Sequence, residues 1–147
     1  MNNKGRIIEK GNDNLLTAND IYNKYQSLFA HSDKLILLIQ NKDKRITKAK
    51  EIYKNPYKNL SFLVNDIIYE LLVFNAPYFM LIRCKLNESI YPKDEDYLFS
   101  KLVHDYTHKI NIKMCDYLIA NRSDYYSFKE QGKLYENDWK YLILGLK

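Results

Sequence analysis

The apolar positions of this chain fall into two kinds of run, whose order predicts helices alternating with strands. Lys34–Gln40 (KLILLIQ) and Tyr78–Ile82 (YFMLI) are continuous apolar stretches too short for a typical helix. Such stretches are expected of strands covered on both faces. Elsewhere the spacing is helical. Ile21, Tyr22, Tyr25, Leu28 and Phe29 predict an amphipathic helix over 19–31, opened by a capping-box-like Thr17–Asp20. Val64, Ile67, Ile68, Leu71 and Leu72 form a stripe within Ser61–Asn75, and Phe99, Leu102, Val103, Tyr106 and Ile110 another on a helix beginning just after Pro92. Arg45–Tyr53 is the expected hairpin partner of KLILLIQ across NKDK. Arg45, Thr47, Ala49 and Glu51 would share one face, and Ile46, Lys48, Lys50 and Ile52 the other. Ile112–Ala120 reads as a strand, NRSD as a turn and Tyr125–Phe128 as a short return strand.

Residues 1–16 read as a polar lead-in with a short strand at Arg6–Glu9. Beyond Gly132, Trp139, Leu142, Ile143 and Leu146 predict an extra helix over 135–147, packed on its own domain. The whole, 1–147, is expected to be one α/β domain: a mixed sheet flanked by helices.

Composition adds little that changes this picture. A chain of 147 residues suits one sizeable core, and 46% hydrophobic with 28% charged residues is ordinary for a globular domain. Fourteen tyrosines serve cores, interfaces and stacking surfaces equally well. The net charge of +5 is mild and only permits an acidic or nucleic-acid partner. Two cysteines, Cys84 and Cys115, make no disulfide framework. No signal-peptide core and no membrane-length apolar run is visible, so a reduced, cytoplasmic protein without a membrane contact is expected.

Several local strings sharpen the reading. Asn75-Ala76 precedes the YFMLI strand; Pro92 and Asp96 stand as P-x-x-x-D; Cys115–Ile119 (CDYLI) is followed by Tyr125–Leu134 (YYSFKEQGKL). In this order the chain resembles the JAB/MPN domain of the RadC type, from about Thr17 to Leu134. In that family an apolar strand ends in H-N-H-P-S-G, followed by P-S-x-x-D, L-D-H-I-I-V and Y-Y-S-F-x-E-x-G. The resemblance implies a three-layer, cytidine-deaminase-like fold. It also implies a zinc site of two histidines and an aspartate, with a glutamate activating the fourth-position water. Counting back from Asp96 places the histidine positions at Arg83 and Lys85 and the serine at Lys93; the family's spacing places the glutamate at Glu51.

The two carboxylates are thus kept while both histidines and the serine become cations. Arginine has no lone pair to offer a metal, and lysine has one only when deprotonated. Without the metal, water keeps its high pKa and Glu51 has nothing worth deprotonating. We expect no metal, no cofactor and no hydrolase chemistry. Arg83 or Lys85 is expected to fill the zinc volume and bridge Glu51 to Asp96, since two buried carboxylates would otherwise be costly.

The function implied is that of an inactive relative acting by binding a macromolecule, a protein above all, with homo-oligomerisation left open. One alternative is a nucleic-acid-associated protein, in keeping with the DNA-repair label and mobile-element setting of the family. Its candidate contacts are Lys42, Lys44, Arg45, Lys48, Lys50, Lys54, Tyr57 and Lys58, a basic stretch with aromatics interleaved. The plainer reading of that stretch is a solvated edge strand, where lysines guard against aggregation. The other alternative is a hydrolase with a displaced ligand set. His104 and His108, spaced i,i+4, could chelate a metal, but His104 lies about 12 Å along the helix from Asp96. They read as a solvated helix face beside Lys101, and His31 as a helix-end residue favoured by the dipole. Cys84 should point away from Arg83 and Lys85, which excludes the pairing that would activate it. Cys115 reads as core.

Overall fold

The computed structural model describes residues 6–13, 17–30, 33–54 and 63–134. Among these residues six strands form one sheet: β1 (Arg6–Asp13), β2 (Lys34–Gln40), β3 (Ile46–Lys54), β4 (Tyr78–Cys84), β5 (Lys113–Ala120) and β6 (Tyr125–Ser127). Their order across the sheet is β1-β3-β2-β4-β5-β6. β4 and β5 run parallel, and the other neighbours are antiparallel. A parallel pair needs a crossover, and α3 (Asp94–Lys109) supplies it. The remaining helices are α1 (Ala18–Tyr25), continued by a 3-10 segment over Gln26–Ala30, and α2 (Leu63–Val73).

The sheet is central because its middle strand is buried along its whole length, as KLILLIQ requires. Leu35, Leu37 and Ile39 face α2 and α3 with Ile67, Leu71, Phe99 and Val103. Ile36 and Leu38 face α1 with Ile21, Tyr22 and Tyr25. Each such side chain contributes roughly 1.5–3 kcal/mol on burial. The architecture is therefore the expected three-layer α/β domain with a mixed sheet.

Several boundaries and faces differ from expectation. β1 runs to Asp13 and pairs with β3, so β3 is an interior strand and not the solvated edge. The α3 stripe is turned: Asp96, Phe99, Ser100, Val103 and Thr107 are buried, while Tyr106 is 50% and Ile110 41% exposed. On α2, Leu72 is 59% exposed and Glu70 takes a buried place instead. Glu70 holds its buried place against Lys50, and Thr107 by donating to the Val103 carbonyl oxygen. Two bulges in β3, where the register slips between Ile39/Gln40 and between Leu35/Ile36, break its strict alternation. Ile46 accordingly joins Ala49 on the α1 face. The expected helix over 135–147 with Trp139, and also His31, Tyr57 and Lys58, lie outside the described residues.

Candidate functional site

Strand β4 ends beside the N-terminus of α3, and there three charged side chains, Arg83, Lys85 and Asp96, come together in the core. Arg83 and Lys85 leave β4 and the residue after it on the α3 face, opposite in parity to Cys84. Both are buried, at 7% and 2% exposure, and Asp96 is at 0%. Asp96 lies in the first turn of α3, where the positive end of the helix dipole favours a carboxylate. The Lys93 backbone N–H donates to Asp96 Oδ2 at 2.9 Å, the reach-back half of a capping box. Lys93 itself has no oxygen with which to cap the helix, and its ammonium turns outward to Glu88 at 3.3 Å.

Asp96 accepts from three side chains as well. The Arg83 guanidinium donates to Oδ1, Lys85 Nζ donates to Oδ2 at 3.1 Å, and the Tyr117 hydroxyl of β5 donates to Oδ1 at 3.2 Å. Arg83 also reaches out to the exposed Glu95 at 2.7 Å. Burial works against the Asp96 charge, but Arg83, the Lys93 N–H and Lys85 outweigh it and hold the carboxyl below the usual carboxylate range. Burial likewise opposes the Arg83 charge, and its pKa is nonetheless raised by Tyr117 and Asp96. Tyr117, fully enclosed, is pushed well above its ordinary value by burial and by Asp96. The group is a neutralised cluster: two carboxylates, Asp96 and Glu95, against two cations.

Glu51 belongs elsewhere. It pairs in register with Ile36, which faces α1, whereas Arg83 pairs with Leu35, which faces α3. Glu51 meets Lys34 Nζ at 3.4 Å on that α1 face. The expected bridge from Glu51 to Asp96 therefore does not form: Arg83 and Lys85 hold Asp96 alone, because Glu51 sits across the sheet. Beside Leu35, the β3 neighbours are the bulged Ile52 and Tyr53, which carry no carboxylate.

A family profile for the RadC-like JAB domain matches residues 15–133. The chain belongs to the RadC-like JAB domain family. Among curated relatives it is similar to UPF0758 proteins from several serotypes of Streptococcus pyogenes, at 23% identity over 125 residues. That alignment covers 84% of this chain and 55% of the relative, so the chain spans about half the length of the curated relatives it matches. The zinc that the RadC-like JAB resemblance implies does not fit the residues present. Hydrolytic zinc needs three protein ligands with free lone pairs. Here the two histidine positions hold cations, and Asp96 has four donors on its two oxygens. Among the described residues no three His, Cys, Asp or Glu side chains converge to hold a metal ion.

Tyr117 is the member of the cluster that sequence reasoning passed over. The signal was present: Tyr117 occupies the histidine position of the family's L-D-H-I-I string, on a strand parallel to β4. Its neighbour Asp116 is a second buried carboxylate. Asp116 accepts from Ser127 Oγ at 2.6 Å, Tyr117 N at 2.7 Å and Lys129 N at 3.0 Å, tying β5 to the YYSFKE turn. Burial nonetheless pushes its pKa up to about 6.

The basic stretch is not one surface. Lys50 is buried and donates to Glu70 at 2.6 Å, with its ammonium 5.2 Å from the Phe74 ring. Lys48 lies over the same ring at 4.6 Å, and Lys44 over Tyr78 at 5.0 Å. Lys42, Lys44 and Arg45 are exposed on the β2–β3 turn, and the side chain of Lys54 is outside the described set. Cys84 is buried against the α1 layer, as its parity predicts, and burial raises its pKa far from any thiolate role. Cys115 is half-exposed at the bulge between Phe79 and Met80 pairings, not core. Among the described residues no helix is long and apolar enough to cross a membrane.

Proposed function

We propose that this RadC-like JAB domain has exchanged zinc chemistry for a fixed ion cluster and acts by binding a macromolecule, a protein partner in the first instance. The observation that carries this reading is the saturation of Asp96. Its oxygens accept from Arg83, Lys85, Tyr117 and the Lys93 N–H, leaving nothing to offer a metal. A catalytic carboxylate at the Glu51 position would also have to reach through the sheet. Such a domain keeps the family's shape while its former centre becomes a structural core.

The test has two parts. The protein, purified with and without added zinc, is assayed on peptide and isopeptide substrates. We expect no zinc-dependent turnover, and none gained in Glu51→Gln or lost in Asp96→Asn. Cross-linking in its native cell then identifies the partner. Zinc-dependent hydrolysis abolished by Asp96→Asn would overturn the reading. A mobility shift with DNA or RNA that weakens steeply with salt would instead favour the nucleic-acid reading.

A further inference from the structure

The far end of α3 carries a separate constellation. His104 and His108, one helical turn apart, lie with ring centroids 5.7 Å apart and planes within 7° of parallel. His104 Nδ1 is 3.4 Å from Asp105 Oδ1. The His104 side chain is 15% exposed while His108 is exposed, so only His108 lies on the solvated helix face that the sequence predicts. The two nearest lysines of the helix are both turned to other partners: Lys101 is ion-paired with Asp105, and Lys109 Nζ lies over the Tyr106 ring at 5.6 Å.

We infer that His104 and His108 form a two-histidine chelate for a late first-row divalent ion such as zinc, nickel or copper. The chemistry follows from four features. Histidines at i,i+4 on a helix converge on one ion, and imidazole suits these metals. Two imidazoles bound at the usual zinc–nitrogen distance hold their centroids about 5 Å apart, close to the 5.7 Å found, and rotation about the ring-bearing bonds out of the parallel stack brings both nitrogens onto one ion. Asp105 faces His104 Nδ1 as the outer carboxylate that commonly orients a ligating histidine, which leaves Nε2 with its lone pair outward. The site also lies in the last turns of α3, where the helix dipole favours a cation. Two ligands leave the other coordination positions to water or to a donor from another molecule. This site shares no residue with the Arg83–Lys85–Asp96 cluster, and it does not depend on the fate of that cluster.

The experiment is calorimetric titration of the whole chain with zinc and with nickel, while imidazole resonances are followed by NMR. We expect one equivalent to bind, with the signals of His104 and His108 perturbed. His104→Ala and His108→Ala should each weaken binding at least tenfold, and Asp105→Asn about tenfold. His31→Ala, the third histidine of the chain, should change nothing. Circular dichroism confirms that each variant is folded. No saturable uptake by the wild type, or uptake undiminished in the His104→Ala/His108→Ala variant, overturns the inference. In the latter case the zinc sits elsewhere, and the proposed loss of the family's metal centre is then the reading in question.

Discussion

Tyr117 donates its hydroxyl to Asp96 at 3.2 Å from a position with no solvent exposure. It thereby joins β5 to the first turn of α3 through the same carboxylate that Arg83 and Lys85 hold from β4. Asp96 is the hub of this cluster, and each spoke is dispensable to a different degree. Tyr117→Phe removes one donor of four and should cost about 1 kcal/mol in urea unfolding. Asp96→Asn strips the counter-charge from two buried cations and should cost about 3–5 kcal/mol. Equal effects of the two changes would show that the charge on Asp96 compensates nothing.

Joint replacement should behave differently from single breaks. A buried ion group exchanged for apolar side chains of similar volume is often neutral or stabilising by about 1–4 kcal/mol, because desolvation of the charges is avoided. Arg83→Met, Lys85→Met and Asp96→Leu together should therefore regain most of the stability that Asp96→Asn alone loses. Thermal melts of the single and triple variants check this. A triple variant less stable than Asp96→Asn would mean that the cluster contributes more than mutual neutralisation.

The two buried aspartates act on stability in opposite directions as pH changes. Asp96 has a depressed pKa in the folded chain, so its contribution is present above the ordinary unfolded value of about 3.9 and is lost as pH falls through the lower folded value. Asp116 is raised to about 6. Between the unfolded value and about 6 the folded state holds more protons than the unfolded one, so stability falls as pH rises through that window. Urea midpoints should thus increase from pH 7 to pH 5 and decline in stronger acid. Asp116→Asn keeps an oxygen for the Tyr117 and Lys129 N–H groups and should flatten the limb between pH 7 and pH 5 alone.

The layers of the fold were legible because they rest on local signals. The KLILLIQ and YFMLI runs are strands, and Ile21, Tyr22 and Tyr25 form the buried stripe of α1. The resemblance to the RadC-type site pointed to Arg83 and Lys85 beside Asp96, and the structure joins both to it, without the Glu51 that was expected at the other end. What the sequence concealed was the relation between strands. Alternation within β3 puts Glu51 with Ala49, but nothing local says that this face meets α1 while Arg83 meets α3. That parity is set by pairing with β2, and the bulges near Thr47 and Ile52 leave no pattern in composition. The buried places of Glu70 and Thr107 were hidden for a related reason: a polar residue reads as exposed until its partner is known. Glu70 finds Lys50 across twenty positions of chain.

That pairing yields the last prediction. Lys50 looks in sequence like one cation among many on a basic strand, and in the fold it is the counter-charge of a glutamate with 1% exposure. Lys50→Met should leave Glu70 buried without its cation and cost about 3–5 kcal/mol, with Glu70→Leu as the compensating second change. The same variants bear on nucleic-acid binding. If the basic stretch touches a phosphate backbone, the contacts come from the exposed turn, so Lys42→Ala, Lys44→Ala and Arg45→Ala should each lower the slope of affinity against salt by about one charge. The folded Lys50→Met/Glu70→Leu variant should leave that slope unchanged. A slope altered by the buried pair and untouched by the turn would place the contact on the α2 side of the sheet and rule out the turn as its seat.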